Sequence, residues 1–452
     1  MSVNDRIATQ IKRYTKITPS NATGNGIFSF SGGNPIIRFT IAEADAFLLA
    51  PETRFQFNLK AYSTGVVGTS GTPIRHDGTA NMDCKVMASS VIQNLTISSR
   101  RYATSICEQI LNYNQLVSVA HPVLSSKRDF ATQRSHETMS IGEGILNRDE
   151  LNQSNSEMLT NRTSVKTLQR KYLSCGGTYS QDQGTDCSLP LYCGMFMSDN
   201  LDLRLLGGLE IEITLAPDAN LFENADNNTI YTIENCILNA PILYKSASQM
   251  ASGLSPSSFS FLSFTSLYNV AQSTNTTITN KVGLRGCLSM IQKFVPVGYI
   301  NNAAQNANAF ASYNPGVQRL TFHRNGQRFP LEYTVITDRG SGNPDAEVRN
   351  EQNAQVLLNS LTAFENYKDV KHSTITNQNL ANQKDNFYYL GVSFDQVSGQ
   401  GVDLSGGTVS TELDSVLQNP ADNAVVPYGV FSFFLNRETL VIQPNQRIQA
   451  IE

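Results

Sequence analysis

The sequence predicts an all-β protein built as two consecutive β-sandwiches, and three observations predict it. Period-two alternation recurs along the chain: in RFQFNLKAY, Phe55, Phe57, Leu59 and Ala61 share one face, while Gln56, Asn58, Lys60 and Tyr62 share the other. Charged residues make up only 16% of the chain, against roughly 25% in an average soluble domain. Asn, Thr, Ser, Gln and Gly take their place, a mixture that suits short strands and polar turns and not long amphipathic helices. The length, 452 residues, exceeds one ordinary domain and fits two units of roughly 200 residues.

Taken in order, the first half offers strands at Ile36–Ile41, through Phe55–Leu59, at Val91–Ile97, Leu189–Met197, through LEIEITL and at Ile230–Tyr244. In LEIEITL, Leu209, Ile211, Ile213 and Leu215 point one way, and Glu210, Glu212 and Thr214 the other. A one-residue slip would turn each apolar row into solvent, so the alternation also fixes register. One segment departs from the pattern. From Lys127 to Lys171, 45 positions carry eight basic and six acidic residues, about double the chain's average charge. A long excursion of this kind reads either as a solvated loop or as a contact arm between subunits.

The stretch SASQMASGLSPSS, Ser246 to Ser258, is the best domain boundary. Strands resume at Phe259–Thr265, Leu288–Val297, Val317–His323 and Phe329–Ile336. A helix is expected around 350–365, where Ala354, Leu357, Leu358, Leu361 and Phe364 fall on one face. Phe387–Phe394, Thr408–Leu413 and Tyr428–Ile442 complete the set. The halves echo each other, because a glycine pair (Gly207–Gly208, then Gly406–Gly407) opens a late strand in each. The expected organisation is an N-terminal arm over 1–26, a first jelly roll over 27–248 with a long charged insertion at about 113–188, a linker at 249–258, and a second jelly roll over 259–452. A jelly roll of about eight strands with an insertion fills ~200 residues.

Chemistry is sought and not found, so no catalytic, cofactor-binding or metal-binding residue is assigned. His76, His121, His136, His323 and His372 form no metal-ligand spacing, and His136–Glu137 is followed by Thr-Met-Ser. No nucleophile elbow, phosphate loop or dinucleotide fingerprint is present, and Gly399–Gly401 lacks the strand and helix that would make a phosphate cradle. Glu210 and Glu212 read as a solvated or interface face of one strand, with a glycosidase pair as the sharper alternative. The net charge of −4 argues against condensing nucleic acid and against specific nucleic-acid recognition. Cys84, Cys107, Cys175, Cys187, Cys193, Cys236 and Cys287 contain no CxxC and read as reduced, buried thiols. The N-terminal stretch lacks the apolar core of a signal peptide, so assembly inside a cell is expected. Ile7, Ile11 and Tyr14 fall at helical spacing beside Arg6, Lys12, Arg13 and Lys16. This tail reads as a frayed terminus or as a basic amphipathic segment for a membrane, genome or acidic partner.

The stretch DCSLPLYCGMFMSDNLDLRLLGGLEIEITLAPDANLF, Asp186 to Phe222, resembles double jelly-roll major capsid proteins. The matching features are an apolar strand ending in Gly-x-Phe (Leu189, Leu191, Gly194, Phe196) and a Leu-rich turn (Leu201, Leu206, Gly207, Gly208). A strand of ExEITL type (Leu209, Ile211, Ile213, Leu215) follows. Ala88 to Leu116 resembles that family's paired strands leading into an Asn/Tyr-rich short helix. The likeness covers residues 30 to 245 by motif and the second half by strand order. It lies nearest the capsid proteins of polinton-like viruses and virophages, with those of nucleocytoplasmic large DNA viruses more distant.

The resemblance implies a structural, non-enzymatic virion protein with no cofactor. Two upright jelly rolls per chain and three chains per block would make a pseudo-hexameric capsomer that tiles an icosahedral dsDNA-virus capsid. The implied partners are the chain itself, as homotrimer and then neighbouring trimers, penton and other minor capsid proteins, and an internal membrane or genome through the N-terminal arm. The competing reading is a trimeric glycan-binding spike or fibre-like β protein.

Overall fold

The computed structural model describes residues 10–22, 24, 26–64, 72–73, 82–83, 86–101, 105–124, 164–165, 185–197, 200–221, 230–245, 258–272, 277–300, 307–312, 315, 317–324, 327–328, 333–334, 361–364, 388–394, 401–413, 425–442 and 448–451. The charged stretch from Lys127 to Lys171, apart from 164–165, lies outside them, as do the boundary segment 246–257 and most of the helix expected at 350–365. Of that helix, 361–364 is described and is helical.

Among the described residues, sixteen of the twenty-three strands build two like units. The first contains β1 (Gln10–Ile17), β2 (Ile36–Ile41), β3 (Arg54–Thr64), β4 (Ile92–Ser99), β5 (Ser105–Ile110), β6 (Thr185–Pro190), β7 (Leu209–Leu215) and β8 (Ile230–Lys245). The second contains β9 (Ser258–Ala271), β10 (Thr277–Lys281), β11 (Cys287–Pro296), β12 (Val317–Arg324), β13 (Gln327–Arg328), β14 (Tyr389–Ser393), β15 (Gly407–Leu413) and β16 (Tyr428–Ile442). Tyr333–Thr334 continues the return of β13 along β12. Every pairing is antiparallel.

In the first unit one sheet runs β1-β8-β3-β6 and the other β2-β7-β4-β5. In the second unit the sheets run β9-β16-β11-β14 and β10-β15-β12-β13. Counted within each unit, both halves therefore have strand orders 1-8-3-6 and 2-7-4-5. Two Greek keys folded over one core produce this order, which is that of a jelly roll.

Alternation puts the apolar rows inside. Strand β7 reads buried at Leu209, Ile211, Ile213 and Leu215, with Glu210 exposed and Glu212 half-buried. Phe39 of β2 meets Phe55 of β3 edge-on at 5.7 Å across the two sheets, a geometry that aromatic quadrupoles favour. The second sandwich is closed differently. Asn269 Nδ2 donates to Asn280 Oδ1 (2.7 Å), and Asn280 Nδ2 to Ser432 Oγ (3.3 Å). Gln292 Nε2 donates to the same Oγ (3.0 Å), and Thr411 Oγ1 donates to Gln292 Oε1 (2.7 Å). Four of these five residues (Asn280, Gln292, Thr411 and Ser432) are buried, so a polar bridge ties the sheets where the first sandwich uses aromatics.

Two sequence expectations change. Residues 10–17 of the expected N-terminal arm are a strand laid along β8 from Gln10↔Lys245 to Ile17↔Leu238. Pairing along a 16-residue β8 outweighs the helical spacing of Ile7, Ile11 and Tyr14. The strand expected over Leu189–Met197 stops at Pro190, and Gly194–Met197 is a helical turn. Proline has no N–H to continue a ladder, and Glu108 takes the first N–H groups of that turn. The short helix that the resemblance implies after the paired strands is present where the charged insertion opens: α1 (Tyr113–Leu124), whose described side chains are all buried. The glycine echo is also only partial: Gly207 and Gly208 have φ of 63° and 94°, whereas Gly406 and Gly407 are not left-handed.

Candidate functional site

Two buried charged side chains, Glu108 and Lys293, mark the seam between the two sandwiches. Strand β5 forms the open edge of its sheet, β9 forms the open edge of its own, and the two edges meet. At their meeting point lies Glu108, which is buried. Its Oε1 accepts from the Gly194 N–H (2.7 Å) and from Ser263 Oγ of the second sandwich (2.7 Å), and its Oε2 accepts from the Met195 N–H (2.8 Å). Burial raises the carboxyl's pKa above its ordinary value; the Met195 N–H, Ser263 hydroxyl, Gly194 N–H and Cys193 thiol oppose that without cancelling it.

Gly194 explains why this meeting is so close. A Cβ there would stand 1.7 Å from the Leu262 carbonyl oxygen of β9. Only glycine lets the two backbones approach in this way, and Phe261 of β9 is buried beside it.

A second polar contact lies on the other side of α1. Lys293 of β11 is buried, and its Nζ donates to Gln115 Oε1 (2.7 Å) and Ser118 Oγ of α1. The ammonium also stands 5.6 Å from the Phe310 ring centroid. Gln115 Nε2 donates to the Ala309 carbonyl (3.0 Å), and Asn308 Nδ2 to Asp83 Oδ2 (2.5 Å). Apolar residues of both sandwiches fall in one continuous core around these contacts. The seam therefore fixes one relative orientation of the halves, because each charged or polar group has its partner on the far side.

The residues weighed from the sequence are placed apart from one another. His121 is buried on α1 with its ring 5.1 Å from that of Tyr192. His323 lies on β12, and His76, His136 and His372 fall outside the described residues. Glu212 accepts from Arg38 Nε at 2.7 Å on the outward side of β7, which makes it part of a surface ion pair. Cys107, Cys187, Cys193, Cys236 and Cys287 are free and buried; burial pushes Cys107 and Cys236 up to about 12, far from a reactive thiolate. Among the described residues no group of three His, Cys, Asp or Glu is arranged to hold a metal, and no helix is long and apolar enough to cross a membrane.

Sequence reasoning missed Glu108 and Lys293. Lys293 carried a usable signal, being a lone cation in the apolar run LSMIQKFV, every position of which is buried. Glu108 carried none, since SICEQI resembles an ordinary half-exposed strand.

Two sandwiches with the same wrapped strand order, joined edge to edge, define a double jelly roll. Solved structures with this architecture include a chain of the Sputnik virophage, to which this chain is similar with 12% identity and a TM-score of 0.59, over 98% of this chain and 88% of that one. It is similar to the Faustovirus major capsid protein (8% identity, TM-score 0.57, 96% and 91% covered) and to the mavirus major capsid protein (10%, 0.51, 98% and 90%). Identities this low establish likeness of fold. No protein-family model matches the sequence, and no curated protein does.

Proposed function

We propose that this chain is the major capsid protein of an icosahedral dsDNA virus, a structural building block without catalytic activity. One observation carries the reading: the chain repeats a single jelly-roll strand order twice and rigidly joins the copies. A block with two like units per chain can present six similar sandwiches from three molecules, and a six-sided block tiles a curved shell with few distinct contacts. The near full-length likeness to major capsid proteins of Faustovirus and mavirus supports the same reading.

On this proposal the chain is a homotrimer, and the trimer is a pseudo-hexameric capsomer of the virion. Its domains are the two jelly rolls, joined through the segment near 249–258. Contacts within the trimer bury on the order of 2,000–5,000 Å². Contacts between trimers are smaller and reversible, so misplaced blocks can leave. Penton and other minor capsid proteins complete the shell, and an internal membrane or the genome is the partner proposed for the N-terminal arm.

Light scattering on the purified chain tests this. The expected species has three times the 49.6 kDa chain mass and a six-lobed outline in negative stain. A persistent monomer at micromolar concentration would overturn the reading.

A further inference from the structure

We propose that the edge strand β1 of the first sandwich docks on the β12–β13 edge of the second sandwich of another copy of this chain, reproducing between molecules the contact that β9 makes with β5 within one. The inference rests on the capsid reading and names the surface through which copies join.

Because the two sandwiches share one strand order, each presents the same kinds of edge. Within the chain, the fifth strand of the first unit (β5) is covered by the first strand of the second (β9), through Glu108 and Ser263 at 2.7 Å. One edge of each kind is left over: the first strand of the first unit, β1, and the fifth strand of the second, β13. Among the described residues β1 pairs with β8 alone, and β13 with β12 alone.

Register identifies the residues concerned. Lys16 lies opposite Asn239, which lies opposite Arg54, the first residue of β3. Ser263 lies opposite Asn436, which lies opposite Cys287, the first residue of β11. Lys16 is thus the counterpart of Ser263, and Tyr14, two residues earlier, is the counterpart of Phe261. Phe261 is 4% exposed against the first sandwich, whereas Tyr14 is 59% exposed. The aromatic that anchors the seam inside the chain has an uncovered equivalent on β1.

A bare edge strand carrying an exposed tyrosine invites indiscriminate pairing, and flanking cations are the usual guard against it. Lys12, Arg13 and Lys16 are all exposed. They keep the strand from merging with any passing sheet while leaving side-chain docking open, which is how β9 meets β5, without a shared ladder. The two docking edges differ, so the contact is head-to-tail, the type that closes rings.

The test pairs Tyr14→Asp and Tyr14→Phe with hydrogen exchange on the wild-type chain. In light scattering and sedimentation, Tyr14→Asp should weaken trimer formation on the order of tenfold or more, Tyr14→Phe should assemble normally, and both should keep the wild-type circular dichroism. Amides of residues 10–17 should exchange more slowly in the trimer than in dilute monomer. A wild-type trimer in which Tyr14→Asp assembles equally well, or in which exchange over 10–17 does not change, overturns this inference and leaves the capsid reading standing. A wild-type chain that stays monomeric overturns both.

Discussion

At the residue scale the seam depends on a glycine and a carboxylate. Replacing Gly194 by alanine forces a Cβ to 1.7 Å from the Leu262 carbonyl oxygen, and backbone cannot yield as a flexible side chain would. The expected cost is about 3 kcal/mol, read from chemical denaturation; a loss under about 0.5 kcal/mol, within the spread of ordinary surface substitutions, would mean the two backbones can separate freely. Glu108→Gln keeps the shape but sets an amide N–H₂ against one of the two backbone N–H groups that now donate to oxygen. That leaves a buried donor unmet and costs about 1–3 kcal/mol at pH 5. The pH dependence has a definite sign. Burial raises the folded-state pKa of Glu108 above its ordinary 4.5, so its favourable contribution is complete below that value and fades as pH rises through the folded-state pKa. The stability gap between wild type and Glu108→Gln should therefore narrow from pH 5 to pH 8. Neighbouring Cys193, Tyr113 and Cys107 are pushed upward and do not titrate in this window. A gap that widens with pH would contradict the assignment.

At the scale of elements, the second sandwich is held across its sheets by Gln292, which links Thr411 on β15 to Ser432 on β16. Gln292→Leu should destabilise the protein by about 2–3 kcal/mol, because Thr411 loses its acceptor where water cannot replace it. Adding Thr411→Val should recover part of that loss, since removing both partners is cheaper than removing one. Equal destabilisation in the single and double variants would show that cavity formation, not the polar bridge, sets the cost. The strands themselves were legible in the sequence wherever alternation reported a half-buried face. Ile36–Ile41 and Tyr428–Ile442 match their observed bounds, and LEIEITL has the burial that its pattern implies. What alternation could not show is any contact made by a strand's end or by its outer face. Lys12 to Ile17 read as a tail because its partner lies more than 200 positions away. The seam stayed hidden for the same reason: Glu108 and Ser263 are 155 residues apart and neither breaks its local pattern. In the sequence Gly194 stands out only within a family-like motif; its physical role needs the Leu262 carbonyl beside it.

At the scale of the whole molecule, the question is whether the two jelly rolls are tethered or fused. Ordinary domains in one chain meet through modest polar interfaces and move against each other. Here the apolar core runs through the seam without a break, and Glu108, Lys293 and Asp83 are buried in it, each with a partner on the other side. An arrangement of that kind does not need the peptide link for its geometry. The link only raises the effective concentration of one half around the other, to millimolar values for a short connection. Cutting the chain between Lys245 and Ser258 should therefore leave the architecture intact. Fragments 1–250 and 251–452, produced together with a tag on one, should co-purify at equal stoichiometry. Produced separately, each should aggregate, because Phe261 and Met195 would face water. Two fragments that are each soluble and monodisperse, and that ignore one another when mixed, would show the seam to be a loose contact. On the proposed capsid role, a loose seam could not hold six sandwiches in fixed register, and a capsomer would then have to draw its rigidity from contacts between chains alone.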